Sequence, residues 1–285
     1  MTNGKNRKAG FRLWRGLLLI AGFAAAGQIC GHALAATLDE VKERGYLVVA
    51  TEDDFRPFEF VKDGRPTGYD NELIEKLANF VPFKIRHEIL PWTGLLAGVS
   101  TGKYDIAITA AIITKERQKS LDFSMPIAAV TDYYLKREND DSIKSIKDLS
   151  GKPLGIQAGS ALLQHLPQLK AKLESMGGHL GEVVQYTSYP EAYQDLAIGR
   201  TDYVINTQIN LNTIVKEKPG VFAIGQAVAA PSYAGWPVKK GNADLLALID
   251  KFLAQERANG ELIALQKEWL GLEMPNMPTS FTAQY

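Results

Sequence analysis

Two consecutive α/β units are the architecture that this 285-residue chain predicts. Three observations predict it. Apolar runs of strand length alternate with segments whose apolar residues recur every three or four positions, the pattern of sheets faced by helices. The alternation breaks at Phe123-Ser-Met-Pro126 and then starts afresh. Past an N-terminal leader about 250 residues remain, enough for one large or two small cores.

The first unit opens on the continuous apolar run Tyr46-Leu-Val-Val-Ala-Thr51, a strand by length. Leu73, Ile74, Leu77 and Ala78 follow at helical spacing, and Phe83 to Leu90 resumes a strand. Trp92 to Thr101 reads as a helix stopped by Gly102, and a strand runs from Tyr104 to Ala111. After the break come strands at Asp132–Arg137 and Pro153–Gln157, a helix from Ser160, a strand at Val183–Thr187, a helix at Pro190–Ile198 and a strand at Tyr203–Thr207. The C-terminal stretch supplies two further helices, one with Leu245, Leu248, Ile249, Phe252 and Leu253, the other with Leu262, Leu265 and Trp269. Beyond Leu272 the chain carries Pro275 and Pro278 without a period and reads as a surface extension. Alternating strands and helices point to parallel sheets covered on both faces, with ligands outside the carboxyl ends of the strands.

Residues 1–35 read as a secretory signal. Lys5, Arg7, Lys8, Arg12 and Arg15 form a positive start, Leu17 to Ala26 an apolar stretch, and Ala33-Leu34-Ala35 a small-x-small cleavage site. Cleavage after Ala35 discards Cys30, the only cysteine, leaving a chain that needs no disulfide in an oxidising compartment. Attachment as a lipoprotein through Cys30 is the weaker reading, since Ile29 stands where a small residue is expected. Cleavage also removes five of the 32 basic residues and no acidic one, so 27 face 32, a net charge of −5. That balance excludes nucleic acid and anionic lipid as expected partners. No later apolar stretch reaches membrane-spanning length, so a soluble exported protein is expected.

The chemistry concentrates in Thr109 to Asp122. A buried strand ends there, Thr114 is a good N-cap for a following helix, and Arg117 sits beside the cap. Outward N–H groups near a guanidinium suit an anion, and guanidinium and carboxylate match as planar forks. Taken alone, Arg117 is more often a solvated helix arginine.

The rest of the chain decides between those readings. Thr51-Glu-Asp-Asp-Phe-Arg-Pro-Phe-Glu-Phe60 followed by Gly68-Tyr-Asp70, Trp92 with Leu95-Leu-Ala-Gly98 and Gly102-Lys-Tyr-Asp105, Ile113-Thr-Lys-Glu-Arg117 with Asp122-Phe-Ser124, Asp148-Leu-Ser-Gly-Lys152 with Gly155-Ile-Gln-Ala-Gly-Ser160, and Gly199-Arg-Thr-Asp202 occur in one order. Each is weak by itself. Together, over residues 38 to 272, they resemble the extracytoplasmic solute-binding proteins of polar amino acid ABC importers (family 3, periplasmic binding protein type II). The resemblance implies a two-lobed α/β fold whose lobes are joined by two hinge strands and close on a small solute, which is then passed to a membrane permease. It implies residues 36–128 with 227–285 in lobe 1, residues 129–226 in lobe 2, a periplasmic monomer, and neither metal nor cofactor.

Position by position, the resemblance implies that Arg117 clamps an α-carboxylate with help from Thr109 and Ala110, and that Phe55 and Trp92 form aromatic walls. Gly159, Ser160 and Ala161 offer N–H groups from the other lobe at a helix start. Phe58 and Phe60 read as core aromatics. Three positions depart from the family pattern: Ile112 and Ala161 where hydroxyls usually assist the carboxylate, and Thr207 where an acid usually meets the α-ammonium. A desolvated ammonium without a counter-charge is costly, so the acid has to come from elsewhere, with Glu52 and Asp53 nearest in sequence logic, or the amine is absent or masked. Tyr233-Ala-Gly-Trp236 with Phe55, Trp92 and Tyr133 or Tyr134 would add an aromatic cleft suited to a betaine or N-substituted ligand.

An enzyme on the same fold, dehydratase-like, is the competing class, and it needs a poised acid or base. His87, His165 and His179 read as surface histidines, and no Ser/His/Asp order, His-Glu-x-x-His or cysteine pair is present. A sensor domain of a receptor is a third class, without an output segment in this sequence. The expectation is a binding protein without catalysis.

Overall fold

The computed structural model describes residues 37 to 283, so the expected signal segment with Cys30 lies outside the described residues. Helix α1 (Leu38–Arg44) starts on a capping box between Thr37 and Glu40 and stops at Gly45, which takes the left-handed conformation that glycine adopts without strain. Strand β1 (Tyr46–Glu52) follows. A three-stranded antiparallel sheet comes next, made of β2 (Asp54–Phe55), β3 (Glu59–Lys62) and β4 (Arg65–Thr67). Its β3–β4 turn is the two-residue Asp63-Gly64, both at positive φ as a hairpin turn of the right twist demands.

Helix α2 (Tyr69–Phe80) turns Tyr69, Leu73 and Leu77 into the core, each fully buried. It leads to β5 (Lys84–Leu90) and to α3 (Leu95–Thr101), which Gly102 ends as expected. The expected strand from Tyr104 to Ala111 is instead two short strands, β6 (Ile106–Ala107) and β7 (Ala111–Ile112), in different sheets. The interruption at Ile108–Ala110 lets one stretch of chain leave the first sheet and turn toward the cavity described below. Strands β8 (Leu121–Phe123) and β9 (Ala128–Val130) flank the Pro126 break.

A second set begins at β10 (Asp132–Arg137) and continues through β11 (Leu154–Gln157), α4 (Leu162–Ser175), β12 (Val183–Tyr186), α5 (Tyr189–Ala197) and β13 (Tyr203–Thr207). Helix α6 (Gln208–Glu217) and strand β14 (Phe222–Ala227) complete it. The return runs through β15 (Ser232–Gly235) and β16 (Pro237–Lys239) into α7 (Ala243–Ala258) and α8 (Glu261–Leu265), prolonged by a π-helical turn, Gln266–Leu270.

The first large sheet has the order β5-β1-β6-β16-β8 and the second β12-β11-β13-β10-β14. Neither is wholly parallel, which corrects the expectation. β1 runs parallel to β5 and β6, and β11 parallel to β12 and β13, but β16 and β10 each enter antiparallel to both neighbours. The antiparallel strands belong to the two passages between the sheets. β9 leaves, β15 returns, and they pair side by side with Ala129 opposite Tyr233.

The tail runs over the surface as expected, and it is tied down there. Met274 and Met277 pack on the core, Arg257 donates to the carbonyls of Met277 and Pro278, and Phe281 meets Tyr233 edge to face at 4.8 Å. Among the described residues no helix is long and apolar enough to cross a membrane.

Candidate functional site

In each large sheet the chain steps from the first of the parallel strands to a neighbour on one side and returns to the other side, β1 to β5 to β6 and β11 to β12 to β13. Such switch points leave a crevice at the carboxyl ends of the strands. Glu52 ends β1, Thr109 and Ala110 follow β6, Gln157 ends β11 and Thr207 ends β13. All of them line one cavity of about 30 Å³, and so do Phe55, Trp92, Arg117, Ser160 and Ala161. The nine residues singled out by sequence are thus brought together.

Arg117 is nearly buried, at 9 % exposure. One terminal nitrogen donates to the Ile112 carbonyl at 2.8 Å and the other to the Gly159 carbonyl at 3.3 Å, with the guanidinium over the Trp92 ring, 5.1 Å from its centroid. Two of five N–H donors are engaged by these contacts. No carboxylate among the described residues pairs with it, and burial pulls its pKa down to about 10, which leaves it charged at neutral pH. The local structure differs from the expected one: Thr114 Oγ1 does accept from the Arg117 N–H at 3.2 Å, but only a 3₁₀ turn, Arg117–Lys119, follows. One turn has little macrodipole, so attraction for an anion rests on the guanidinium itself. Gly159 has a positive φ, where any side chain is strained, and a Cβ there would touch the Trp92 indole at 3.4 Å.

Opposite, Glu52 is buried and accepts from Gln157 Nε2 at 2.6 Å, a contact between the ends of the two sheets. Desolvation pushes its pKa up to about 8, against the lowering effect of Gln157. Thr207 is the N-cap residue of α6, and its hydroxyl bonds the Asn210 side chain. It therefore has a structural partner of its own, and no acid occupies its place. Ser160 precedes α4, where its hydroxyl accepts from the Leu162 N–H at 3.3 Å and lies 3.4 Å from the Tyr189 hydroxyl.

Behind Thr109 lies a feature the sequence reading missed. Its hydroxyl bonds Glu59, and Glu59 and Asp70 are both fully buried. Trp236 Nε1 donates to Asp70 Oδ1 at 2.9 Å, while Glu59 Oε2 and Asp70 Oδ2 have no donor among the described residues. A proton shared between the two carboxyls would satisfy both. Burial pushes Glu59 well up, and Asp70 up to about 7. Each raised carboxyl contributes stability that is complete below its unfolded pKa near 4 and is lost as pH rises through its folded value. The unliganded protein is expected to melt at a lower temperature at pH 8 than at pH 5. In Asp70→Asn, which keeps an acceptor for Trp236, calorimetry should show a smaller fall; an unchanged pH profile would refute the shared proton.

Other expectations are corrected. Trp236 and Tyr134 are core side chains and Tyr233 packs on Phe281, so the aromatic cleft built on them does not form. Phe58 and Phe60 are buried, as expected of core aromatics. The cavity's third aromatic is Tyr189, 6.2 Å from Phe55. Its signal was available, since it starts α5 directly after β12 as Trp92 precedes α3. His165 is buried, with Nδ1 2.5 Å from Asp132, because α4 turns that position inward with Leu162 and Leu169. His87 is half-buried and its Nε2 lies 2.8 Å from the Thr51 hydroxyl, while His179 is exposed.

With this geometry in hand, residues 47–272 match the model of the bacterial extracellular solute-binding proteins, family 3. The chain belongs to this family. The L-cystine-binding protein of Escherichia coli K12 is 29% identical over 262 residues, covering 90% of this chain and 96% of that one. An ancestral arginine-binding protein solved with arginine superposes with a TM-score of 0.71 at 32% identity, over 80% of this chain and 99% of its own. An ancestral amino acid-binding protein, described as a precursor of cyclohexadienyl dehydratase, reaches 0.73 at 29% identity, over 82% and 100%. The architecture is the two-lobed type II periplasmic binding fold, two α/β lobes joined by the strands β9 and β15.

Proposed function

We propose that this chain is the periplasmic receptor of an ABC importer and captures an α-amino acid, or a close derivative, between lobes that shut on it. The observation that carries the reading is a buried guanidinium without an acidic partner among the described residues, at the meeting of two switch-point crevices. A buried charge is stable only when paired, and a ligand carboxylate offers Arg117 the bidentate match. Glu52 then supplies the counter-charge for the α-ammonium that Thr207 does not. Thr109, Ala110, Ser160 and Ala161 contribute polar contacts, and Phe55 and Trp92 the walls. The relatives named for cystine and arginine binding support an amino acid as the class of solute.

A cavity of about 30 Å³ holds no more than a water molecule or two, so an amino acid enters only if the walls part. The motion we assign is rotation of residues 129–226 against 36–128 with 227–285 about β9 and β15. The mature protein acts as a monomer after cleavage of residues 1–35 and hands its solute to a permease, without turning it over. A thermal-shift screen of amino acids, opine-like conjugates, betaines and simple carboxylates should single out α-amino acids. Calorimetry should then give a negative heat-capacity change, and scattering a smaller radius of gyration with ligand. Scattering curves that superimpose with and without a saturating ligand would overturn closure, and a screen in which no α-amino acid raises the melting temperature would overturn the reading itself.

A further inference from the structure

A second and larger cavity adjoins the one at Arg117. Its volume is about 420 Å³, within the range of small-molecule sites, and Phe55, Tyr189 and Asn206 line both cavities, so the two are neighbours across a shared wall. Tyr189 and Tyr193 stack at 5.8 Å with 26° between their planes, and Asn206 Nδ2 donates to the Tyr193 hydroxyl at 2.8 Å, which fixes an aromatic ledge leading away from Arg117. At the far end charges of both signs converge: Asp54 and Arg56 from the β2 segment, Glu217 and Lys218 from the end of α6. Arg56 Nε lies 2.9 Å from Asp54, and its terminal nitrogen 3.6 Å from Glu217. The Arg56 carbonyl accepts from Asn210 Nδ2 at 2.7 Å, so both walls are tied to one another beside the charges.

An apolar ledge with a charged group at each end is complementary to a particular kind of molecule. We propose that the larger cavity is a subsite for the far head of a two-headed amino acid, a linear ligand carrying an α-ammonium and a carboxylate at both ends. The inference rests on the reading of the Arg117 cavity as the seat of the first head. The near head engages Arg117 and Glu52, and once the walls have parted the linker runs along Phe55 and Tyr189, the aromatic side chains that line both cavities. The far ammonium enters between Asp54 and Glu217, and the far carboxylate turns to Arg56 and Lys218. Asp54, Arg56 and Glu217 neutralise one another in part in the structure, with Lys218 beside them, and a zwitterion inserted among the four keeps each charge paired, which a cationic or anionic end group would not. A ligand with a single head and a short side chain leaves the far end untouched.

The probes are L-cystine and L-cystathionine, each two-headed, and S-methyl-L-cysteine, which has one head and the same near end. Calorimetry on the mature protein should give an affinity for a two-headed probe at least about tenfold above that for S-methyl-L-cysteine. The double variant Arg56→Gln, Glu217→Gln changes only partly exposed side chains and should erase that tenfold advantage while S-methyl-L-cysteine binds as before. Thr213→Trp, which fills the larger cavity from α6, should exclude the two-headed probes selectively. Equal affinity for one and two heads, or loss of both together in these variants, overturns the subsite. If single-headed amino acids bind and neither two-headed probe does, the subsite fails and the Arg117 reading stands. If none of the three binds and no amino acid does in the wider screen, both fail.

Discussion

Arg117→Ala is expected to weaken binding of any carboxylate ligand at least about thirtyfold while the protein stays folded. Removing one partner of a buried charge pair costs about 2–5 kcal/mol, and about 2 kcal/mol is already thirtyfold. The side chain's contacts within the protein are two hydrogen bonds to carbonyls, those of Ile112 and Gly159, and one aromatic face, so its loss leaves no carboxylate stranded. Truncation also relieves an unpaired buried charge, and the melting temperature of the unliganded variant should equal or exceed that of the wild type. Arg117→Lys keeps the charge but not the fork and should recover only part of the affinity. Calorimetry with the best ligand from the screen decides the matter: affinity like that of the wild type in Arg117→Ala would remove Arg117 from the site, and with it the observation on which the functional reading stands.

What could be read from the sequence and what could not divide along physical lines. Strands such as Tyr46–Glu52 and Tyr203–Thr207 are buried on both faces and appear as plain apolar runs, and α3 announces its end with Gly102. Segments shaped by distant partners gave no such signal. β16 is three residues long and exists because it slots between β6 and β8, more than a hundred residues earlier in the chain. Helix α6 starts with no linker, since Thr207 both ends β13 and caps it, and its amide-rich first turn looks like loop. The Asp63-Gly64 hairpin carries its turn signal in two residues that the sequence reading passed over, and its strands are too short to show a period.

The site divides in the same way. Motifs carried Arg117, Trp92 and Glu52 to one cavity: Glu52 ends β1 and Trp92 follows β5 where the order of elements dictates a crevice, and Arg117 opens the 3₁₀ turn between β7 and β8. Nothing local marks Glu59 and Asp70 as a pair. They meet because β3 packs on the start of α2, where Trp236, far along the chain, holds Asp70. A charged residue in sequence is by default a solvated one, and only the fold reveals which carboxyls have been taken out of water.

That desolvation makes Glu52 the second decisive position. In the free protein its carboxyl holds a proton up to about pH 8, yet it serves an ammonium only as a carboxylate. Binding at pH 7 must therefore release a proton, and affinity should rise between about pH 6 and pH 8, by at most tenfold per unit for one proton, then level off until the ligand's own ammonium deprotonates. Glu52→Gln should abolish this slope and weaken binding at pH 8 at least about tenfold, because the ammonium loses its counter-charge in a dry cavity. Gln157 can still pair with the new amide, so the fold should persist. Thr207→Asp tests the same logic from the other side. Asp suits the N-cap position of α6 although it gives up the hydroxyl's donation to Asn210 Oδ1, so the fold should persist, but a second carboxylate in the cavity of Glu52 has no ammonium of its own and should cost of order 1–3 kcal/mol in affinity. Calorimetry in buffers of different ionisation enthalpy counts the released protons directly. No release in the wild type, or tighter binding in Thr207→Asp with no loss in Glu52→Gln, would assign the ammonium to position 207 and overturn the role given to Glu52.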